Sequence, residues 1–275
     1  MPQIILALAI LFALPDTTGQ TARGGNPTTK GILLEDLTWM QAEKALTPAT
    51  VVVIPLGAAA KEHGPHLKLK NDWLIAEYLK RRIIDKIRVV VAPTLNYGFY
   101  PAFAEYPGST SLRLETSRDM LVDICRSLAR FGPKRFYVLN TGISTLRALA
   151  PAAEALRPEG IILRYTDLKV TEPVERQLRK EAGGTHAEEI ETSMMLYIAP
   201  ESVDMAKAVK DYHFESGPGG LTRDPKGRGV YSPTGVWGDA TLATREKGKT
   251  VVEALVAAIV REIEDLAQSP APEAK

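Results

Sequence analysis

Cysteine is almost missing from this chain of 275 residues. Cys125 is the single copy, so no internal disulfide can brace the fold. It falls in an amphipathic helical pattern, where a thiol reads as a small buried hydrophobe and not as a nucleophile. An excess of either charge is missing too. The 34 Lys and Arg face 33 Asp and Glu, a net charge of +1. No basic stripe with interleaved aromatics appears, so nucleic acid is not an expected partner. No internal repeat is found. Neither Gly-x-Gly-x-x-Gly after a strand nor Gly-x-Ser-x-Gly occurs, which argues against dinucleotide binding and a serine nucleophile elbow. The apolar run at residues 1–14, MPQIILALAILFAL, is shorter than the roughly 20 residues of a membrane helix. With the polar, Gly/Thr-rich stretch after it, it reads as a signal peptide and flexible segment over residues 1–30. The expectation is an exported, periplasmic or secreted protein with no stable membrane span in the mature chain. The lone cysteine fits an oxidising compartment without requiring one.

What is present concentrates in residues 51–72, VVVIPLGAAAKEHGPHLKLKND. The β-branched run Val51, Val52, Val53, Ile54 suits a strand covered on both faces, as in a parallel sheet. Gly57 releases the chain. Glu62, His63, His66 and Asp72 then follow within eleven residues. Two imidazoles and two carboxylates at the C-terminal end of a strand have the chemistry of a divalent metal site. That end of the strands is also where ligands bind in open α/β sheets. Asn71 or Asp72 is placed to cap a helix through about Lys86, with Leu74, Ile75, Tyr78, Leu79 and Ile83 at helical spacing.

The rest alternates. A short helix is expected within 32–46, a strand over 88–93 and an amphipathic helix over 115–131 that Gly132-Pro133 ends. Strands over 135–139 and 161–165 flank a helix ending near Leu156. A helix pair broken at Gly183-Gly184 covers 171–196, and a long helix 246–266. The pattern is α/β, a mostly parallel sheet flanked by helices. The Gly/Pro/aromatic segment at 96–112 suits a pocket wall, and Tyr97, Phe99, Tyr100, Phe103 and Trp237 hint at a planar or ring substrate. In the second helix of the pair, Thr185 and Glu188 read as a capping box. Helical spacing puts His186 and Glu191 on different faces unless that first turn is irregular. The glycine-rich stretch 203–233, which carries His213, reads as a surface loop or a subunit contact.

Four separated motifs, in order, resemble the creatininase family, the creatinine amidohydrolases. They are His63-Gly64-Pro65-His66-Leu67 with Asp72; Tyr106-Pro107-Gly108-Ser109-Thr110-Ser111-Leu112; His186-Ala187-Glu188-Glu189-Ile190-Glu191-Thr192-Ser193; and Gly235-Val236-Trp237-Gly238-Asp239. The resemblance spans about residues 45–265. It implies a single creatininase-like α/β domain, here 31–267, before a disordered tail at 268–275. It implies a metal-dependent amidohydrolase cutting a C–N amide bond, often a cyclic one, in a small molecule. The assembly it implies is a homo-oligomer, often a hexamer. The implied cofactor is a divalent metal, Zn, Mn or Fe, one or two per chain. By the same resemblance Asp72 is the bridging ligand, His63 the imidazole ligand and Glu191 a carboxylate ligand lining the site. His186 stands beside the substrate, where it orients or protonates it. His186 and Glu191 are therefore the expected catalytic pair, and Glu62, His63, Asp72 and Glu191 the expected metal ligands.

Two positions depart from the family pattern. Lys61 stands where the family has Glu, with Glu62 as the neighbouring replacement. Gly142, in Asn140-Thr141-Gly142-Ile143-Ser144-Thr145, stands where the family has a metal-binding His. His66 and His213 are the candidates to make up that loss. The departures also raise an alternative: a family member impaired in catalysis that binds a small ligand or acts as a structural oligomer.

Overall fold

The strands come from runs too apolar to face water, and the order in which they pair creates a crevice. β1 (Ile32–Leu33), β2 (Val51–Leu56), β3 (Val90–Val91), β4 (Arg135–Asn140) and β5 (Ile162–Tyr165) form one sheet in the order β1-β3-β2-β4-β5. Every neighbouring pair is parallel. This computed structural model describes residues 29–212 and 220–270. The helices are α1 (Trp39–Ala45), α2 (Asn71–Lys86), α3 (Leu114–Ala129), α4 (Leu146–Leu156), α5 (Glu172–Leu178), α6 (Glu189–Ile198) and α7 (Arg245–Gln268).

All six residues of β2 are buried because both faces are covered. Alternate side chains point to opposite faces of a strand. Val51 and Val53 therefore meet Leu79 and Ile83 of α2 and Val252, Leu255 and Ile259 of α7. Val52, Ile54 and Leu56 meet Leu121 and Cys125 of α3 and Leu149 and Leu156 of α4. In β4, Tyr137 and Leu139 join the first core, and Phe136 and Val138 the second. Cys125 is fully buried, and burial pushes its thiol up to about 12, as expected of an inert packing residue.

From β2 the chain steps to β3 on one side, then returns past β2 to β4 on the other. The connections diverge there, and the register pairs Leu56 with Asn140. The strand ends of β2 and β4 thus lie side by side at a topological switch point, the place where open α/β sheets bind ligands.

Some elements differ from expectation. The helix expected within 32–46 is confined to Trp39–Ala45, started by a Thr38–Gln41 capping box, while Ile32–Leu33 pairs with β3 as an edge strand. Only Val90–Val91 of the run 88–93 joins the ladder. Two-residue strands carry no periodicity, and their existence depends on partners distant in sequence. The C-terminal helix reaches Gln268, and Arg135 and Arg164 still hold Ser269. No described helix is long and apolar enough to cross a membrane. The apolar run 1–14, His213 and the end of the tail lie outside the described residues.

Candidate metal centre

α2 is set against the end of β2 by a glycine. A Cβ on Gly57 would lie 2.3 Å from the Asp72 carbonyl oxygen and 2.8 Å from Ala76 Cβ. Only glycine lets the first turn of α2 come this close. The helix begins at Asn71, with Lys70 at the cap and no side-chain cap bond. The expected cap, Asn71 or Asp72, is thus already inside the first turn. That frees both side chains for the site and leaves Asp72 where the helix favours an anion. Thr141, just past β4, donates from Oγ1 to the Leu56 carbonyl at 3.0 Å and the Asp72 carbonyl at 3.3 Å, tying the two strand ends together.

The loop between β2 and α2 is pinned from the second motif. Ser109 Oγ accepts from Glu62 N at 2.9 Å, and Thr110 N donates to the Ala60 carbonyl at 2.9 Å. His63 is then fixed from both sides. Nδ1 faces the Lys61 carbonyl at 2.9 Å, and Nε2 faces Asp72 Oδ1 at 2.8 Å. The Nδ1 partner leaves Nε2 as the atom turned to the site.

The second half of the chain supplies the opposite wall. The helical reading kept His186 and Glu191 apart, but α6 begins at Glu189, and Ala187 takes φ +50°. This break swings His186 back over the helix start, with Nδ1 3.8 Å from Glu191 Oε2. Glu191 Oε1 lies 3.4 Å from His63 Nε2 and accepts from Asn71 Nδ2 at 3.0 Å, while Oε2 accepts from Ala187 N at 2.7 Å. Glu188, not Thr185, is the cap of α6: its carboxylate accepts from Ile190 N and Glu191 N. A buried network holds that carboxylate, with Arg179 Nη1 at 2.9 Å from Glu188 and also paired with Glu181. Burial first, then Glu181, raises Glu188 well above the usual carboxylate range.

Among the described residues, His63, His186 and Glu191 offer donor atoms all within 4.8 Å of one another. Asp72 Oδ1 joins at the same His63 nitrogen, Nε2, at 2.8 Å. Of the expected ligands, His63, Asp72 and Glu191 come together. Glu62 is turned another way. Its Oε2 lies 3.1 Å from His186 Nε2, and its Oε1 accepts from Gly64 N. Gly235, at φ +83°, allows this, since a Cβ there would lie 2.0 Å from Glu62 Oε1. In this arrangement Glu62 serves His186 directly. His66 stays out of the cluster: its Nε2 is 2.8 Å from Thr192 Oγ1 on α6. Burial lowers His66 to about 4, so it is neutral.

The charges are concentrated. Burial opposes an imidazolium at His63, but Asp72 and Glu191 outweigh it and raise the ring to about 9. Burial would raise Asp72 and Glu191, yet both are held below the usual carboxylate range, Asp72 chiefly by Lys61 and Glu191 chiefly by His63. Lys61, which stands at the family's Glu position, itself enters the site, which the sequence reading did not anticipate. It is 5% exposed, and its Nζ lies 2.7 Å from Asp72 Oδ2 and 4.7 Å from the centre of the Phe103 ring. A lysine so close to two candidate ligands in sequence was the available signal.

A cavity of about 500 Å³ opens onto this cluster, within the range of small-molecule sites. Lys61, Tyr100, Phe103, Gly142, His186 and Glu191 face it, and it continues toward α5. Tyr97, Phe99 and Trp237 do not line it. Tyr97 is exposed, Phe99 lies under Arg147, and Trp237 pairs through its backbone with His186.

A family model described as creatinine amidohydrolase matches residues 35–263. The chain belongs to the creatininase family. A creatinine amidohydrolase of Pseudomonas putida is 28% identical over 261 residues, covering 86% of this chain and 97% of that protein. A mycofactocin precursor peptide peptidase of Mycobacterium ulcerans is 29% identical, covering 74% and 81%. Among solved structures, a creatininase described as the Mn form superposes with a TM-score of 0.71 at 26% identity, covering 87% of this chain and 100% of that one. A mutant creatininase of the Zn–Zn type gives 0.70 at 25% identity, covering 86% and 98%. The sheet flanked by helices is thus the creatininase fold, as the sequence motifs implied. This creatininase-family chain keeps His63, Asp72, His186 and Glu191 together, and carries Lys61 and Gly142 beside them.

Proposed function

We propose that this chain is a metal-dependent hydrolase of an amide C–N bond in a small molecule held in the cavity beside His186 and Glu191. One observation carries the reading: two imidazoles and a carboxylate with donor atoms within 4.8 Å, at the switch point of the sheet, two of which, His186 and Glu191, line a cavity of about 500 Å³. Mixed imidazole and carboxylate donors suit Zn, Mn or Fe. His63, Asp72 and Glu191 would hold the ion, with Asn71 and the Ala187 amide orienting Glu191. When bound, such an ion supplies Lewis acidity toward a carbonyl and toward water.

The remaining work falls to His186. Its Nε2 donates to the Glu62 carbonyl at 3.0 Å, with the Glu62 carboxylate beside it, which fixes the tautomer and leaves Nδ1 free to accept. As the oxygen of water bonds to the amide carbon and the C–N bond breaks, Nδ1 takes the proton of water and returns it to the leaving nitrogen. Phe103 stacks against His186 with ring centres 4.3 Å apart, restricting the imidazole and shielding it from solvent. The names of the relatives suggest the first substrates: creatinine and other cyclic amides, then short peptides.

A second reading rests on Lys61 and Gly142: a family member that keeps the cavity but has lost catalysis. The test is hydrolysis of that panel by full-length protein, stripped with chelator and reloaded with Zn or Mn. Metal-dependent turnover, abolished in His186→Ala, is expected. Absence of turnover with any metal, together with ligand-induced thermal stabilisation, favours the second reading. We further place the mature protein outside the cytoplasm, on the apolar run at 1–14, and as a homo-oligomer. The exposed Trp39 (75%) and Met40 (57%) on α1 support an interface.

A further inference from the structure

We propose that the Lys61 ammonium is a built-in second cation, so that this centre takes a single divalent ion on the His63–Glu191 side of Asp72. The inference rests on the metal-centre reading above and concerns how many ions that centre holds. It starts from the two oxygens of Asp72. Oδ1 faces His63 Nε2 at 2.8 Å, and Glu191 Oε1 approaches the same nitrogen at 3.4 Å. Oδ2 faces Lys61 Nζ at 2.7 Å. A carboxylate that bridged two ions would offer one oxygen to each, and here the second oxygen already has a cation. The lysine is not a surface group passing through. It is 5% exposed, with the faces of Phe103 and Tyr100 at 4.7 and 5.7 Å from Nζ. Aromatic faces attract a cation and also exclude water.

The neighbouring donors agree. The end of β4 approaches this side of the cavity, yet it offers no free ligand. Gly142 has no side chain. Asn140 is spent on its own loop, donating from Nδ2 to the Gly142 carbonyl at 2.7 Å and accepting from Gly142 N at 3.2 Å. Thr145 Oγ1 donates to Asn140 Oδ1 at 2.5 Å and lies 2.7 Å from the Gly142 carbonyl. A metal beside Asp72 Oδ2 would therefore find one carboxylate oxygen, an ammonium, the Phe103 ring and the Tyr100 phenol, which burial and then Asp72 push well above its ordinary value and so keep a neutral, weak donor. The charge count points the same way. Once a bound ion has displaced the proton of His63, Glu62, Asp72 and Glu191 against Lys61 carry two unbalanced negative charges, which one divalent ion neutralises. A second ion would leave a buried excess of positive charge, which low-dielectric surroundings penalise strongly.

The test is metal stoichiometry of the full chain, stripped and then reloaded with excess Mn or Zn, desalted, and measured by elemental analysis. The Mn form is also examined by electron paramagnetic resonance. The expected result is one ion per chain and the spectrum of an isolated Mn(II). In Lys61→Glu/Gly142→His the expected result is two ions per chain and an exchange-coupled spectrum. At Gly142 an added Cβ meets Thr145 Oγ1 first, at 3.2 Å, so that hydroxyl must shift by a few tenths of an ångström, while the φ of Gly142 itself suits a side chain. Two ions per chain in the unmodified protein would overturn the inference while leaving the hydrolase reading intact. One ion in a cooperatively folded double variant would overturn the role given to Lys61. No ion in the unmodified protein, with no hydrolysis, would overturn both. If the double variant fails to fold, the stoichiometry and spectrum of the unmodified protein still decide.

Discussion

The two strand ends that meet at the switch point have been built to opposite plans. After β2, residues 61–72 turn Lys61, His63 and Asp72 inward and leave them buried around a common centre. After β4, residues 140–145 turn inward on themselves, with Asn140 and Thr145 closing hydrogen bonds around Gly142. Both loops are ordered and both face the same cavity. One spends its polar groups on chemistry, and the other on holding its own backbone. Proximity to a ligand crevice therefore does not make a loop part of the site. What matters is whether its donors are already taken.

The widest separation between the two loops should appear in metal retention. His63→Ala and Glu191→Gln are expected to lower metal affinity by more than ~100-fold, since losing only a supporting partner already costs about 10–100-fold. Asn140→Ala should leave metal content unchanged; elemental analysis of the purified variants checks both. Next comes stability of the metal-free protein. Asp72→Asn leaves the buried Lys61 ammonium without its carboxylate, an expected loss of about 3–5 kcal/mol in denaturant unfolding. On the other side, Asn140→Ala takes the acceptor from the buried Gly142 amide and a donor from the Gly142 carbonyl, an expected loss of about 1–3 kcal/mol. A larger loss in Asn140→Ala than in Asp72→Asn would reverse the assignment of which loop carries the buried charge.

The narrowest comparison is in pH dependence. In the metal-free protein His63 titrates near 9 instead of 6.5, so its contribution is full below 6.5 and is lost as pH rises through 9. His66 titrates near 4 instead of 6.5, so its contribution is full above 6.5 and is lost as pH falls toward 4. The melting temperature should peak near pH 6.5 and decline on both sides. In His63→Ala the alkaline decline should flatten and the acid one persist.

The sequence made parts of this legible for specific reasons. β2, β4 and β5 announce themselves because strands buried on both faces must be continuously apolar. α2, α3 and α7 show because each presents one long apolar stripe. β1 and β3 were hidden or overdrawn because a two-residue strand exists only through its partner. At the site, His63 and Asp72 were readable because nine residues separate them in one loop after one strand. The meeting of His186 with Glu191 was readable from the family motif but not from periodicity, because it depends on the positive φ of Ala187, where a helical wheel no longer applies. Nor was the direction of the Glu62 side chain, which Gly235 settles from more than 170 residues away in sequence.

The contact at Gly57 has a consequence for how this site can change. Because the Asp72 carbonyl rests almost on the end of β2, the backbone of Asp72 is registered by that stacking, and Lys61 and His63 of the linking loop then orient its carboxylate. Side chains within residues 58–70 can thus be exchanged while the Asp72 backbone stays in place. The chain can revise the company its aspartate keeps, as it has with Lys61, without rebuilding the scaffold. A single methyl group at position 57 would remove that freedom by sliding the whole helix.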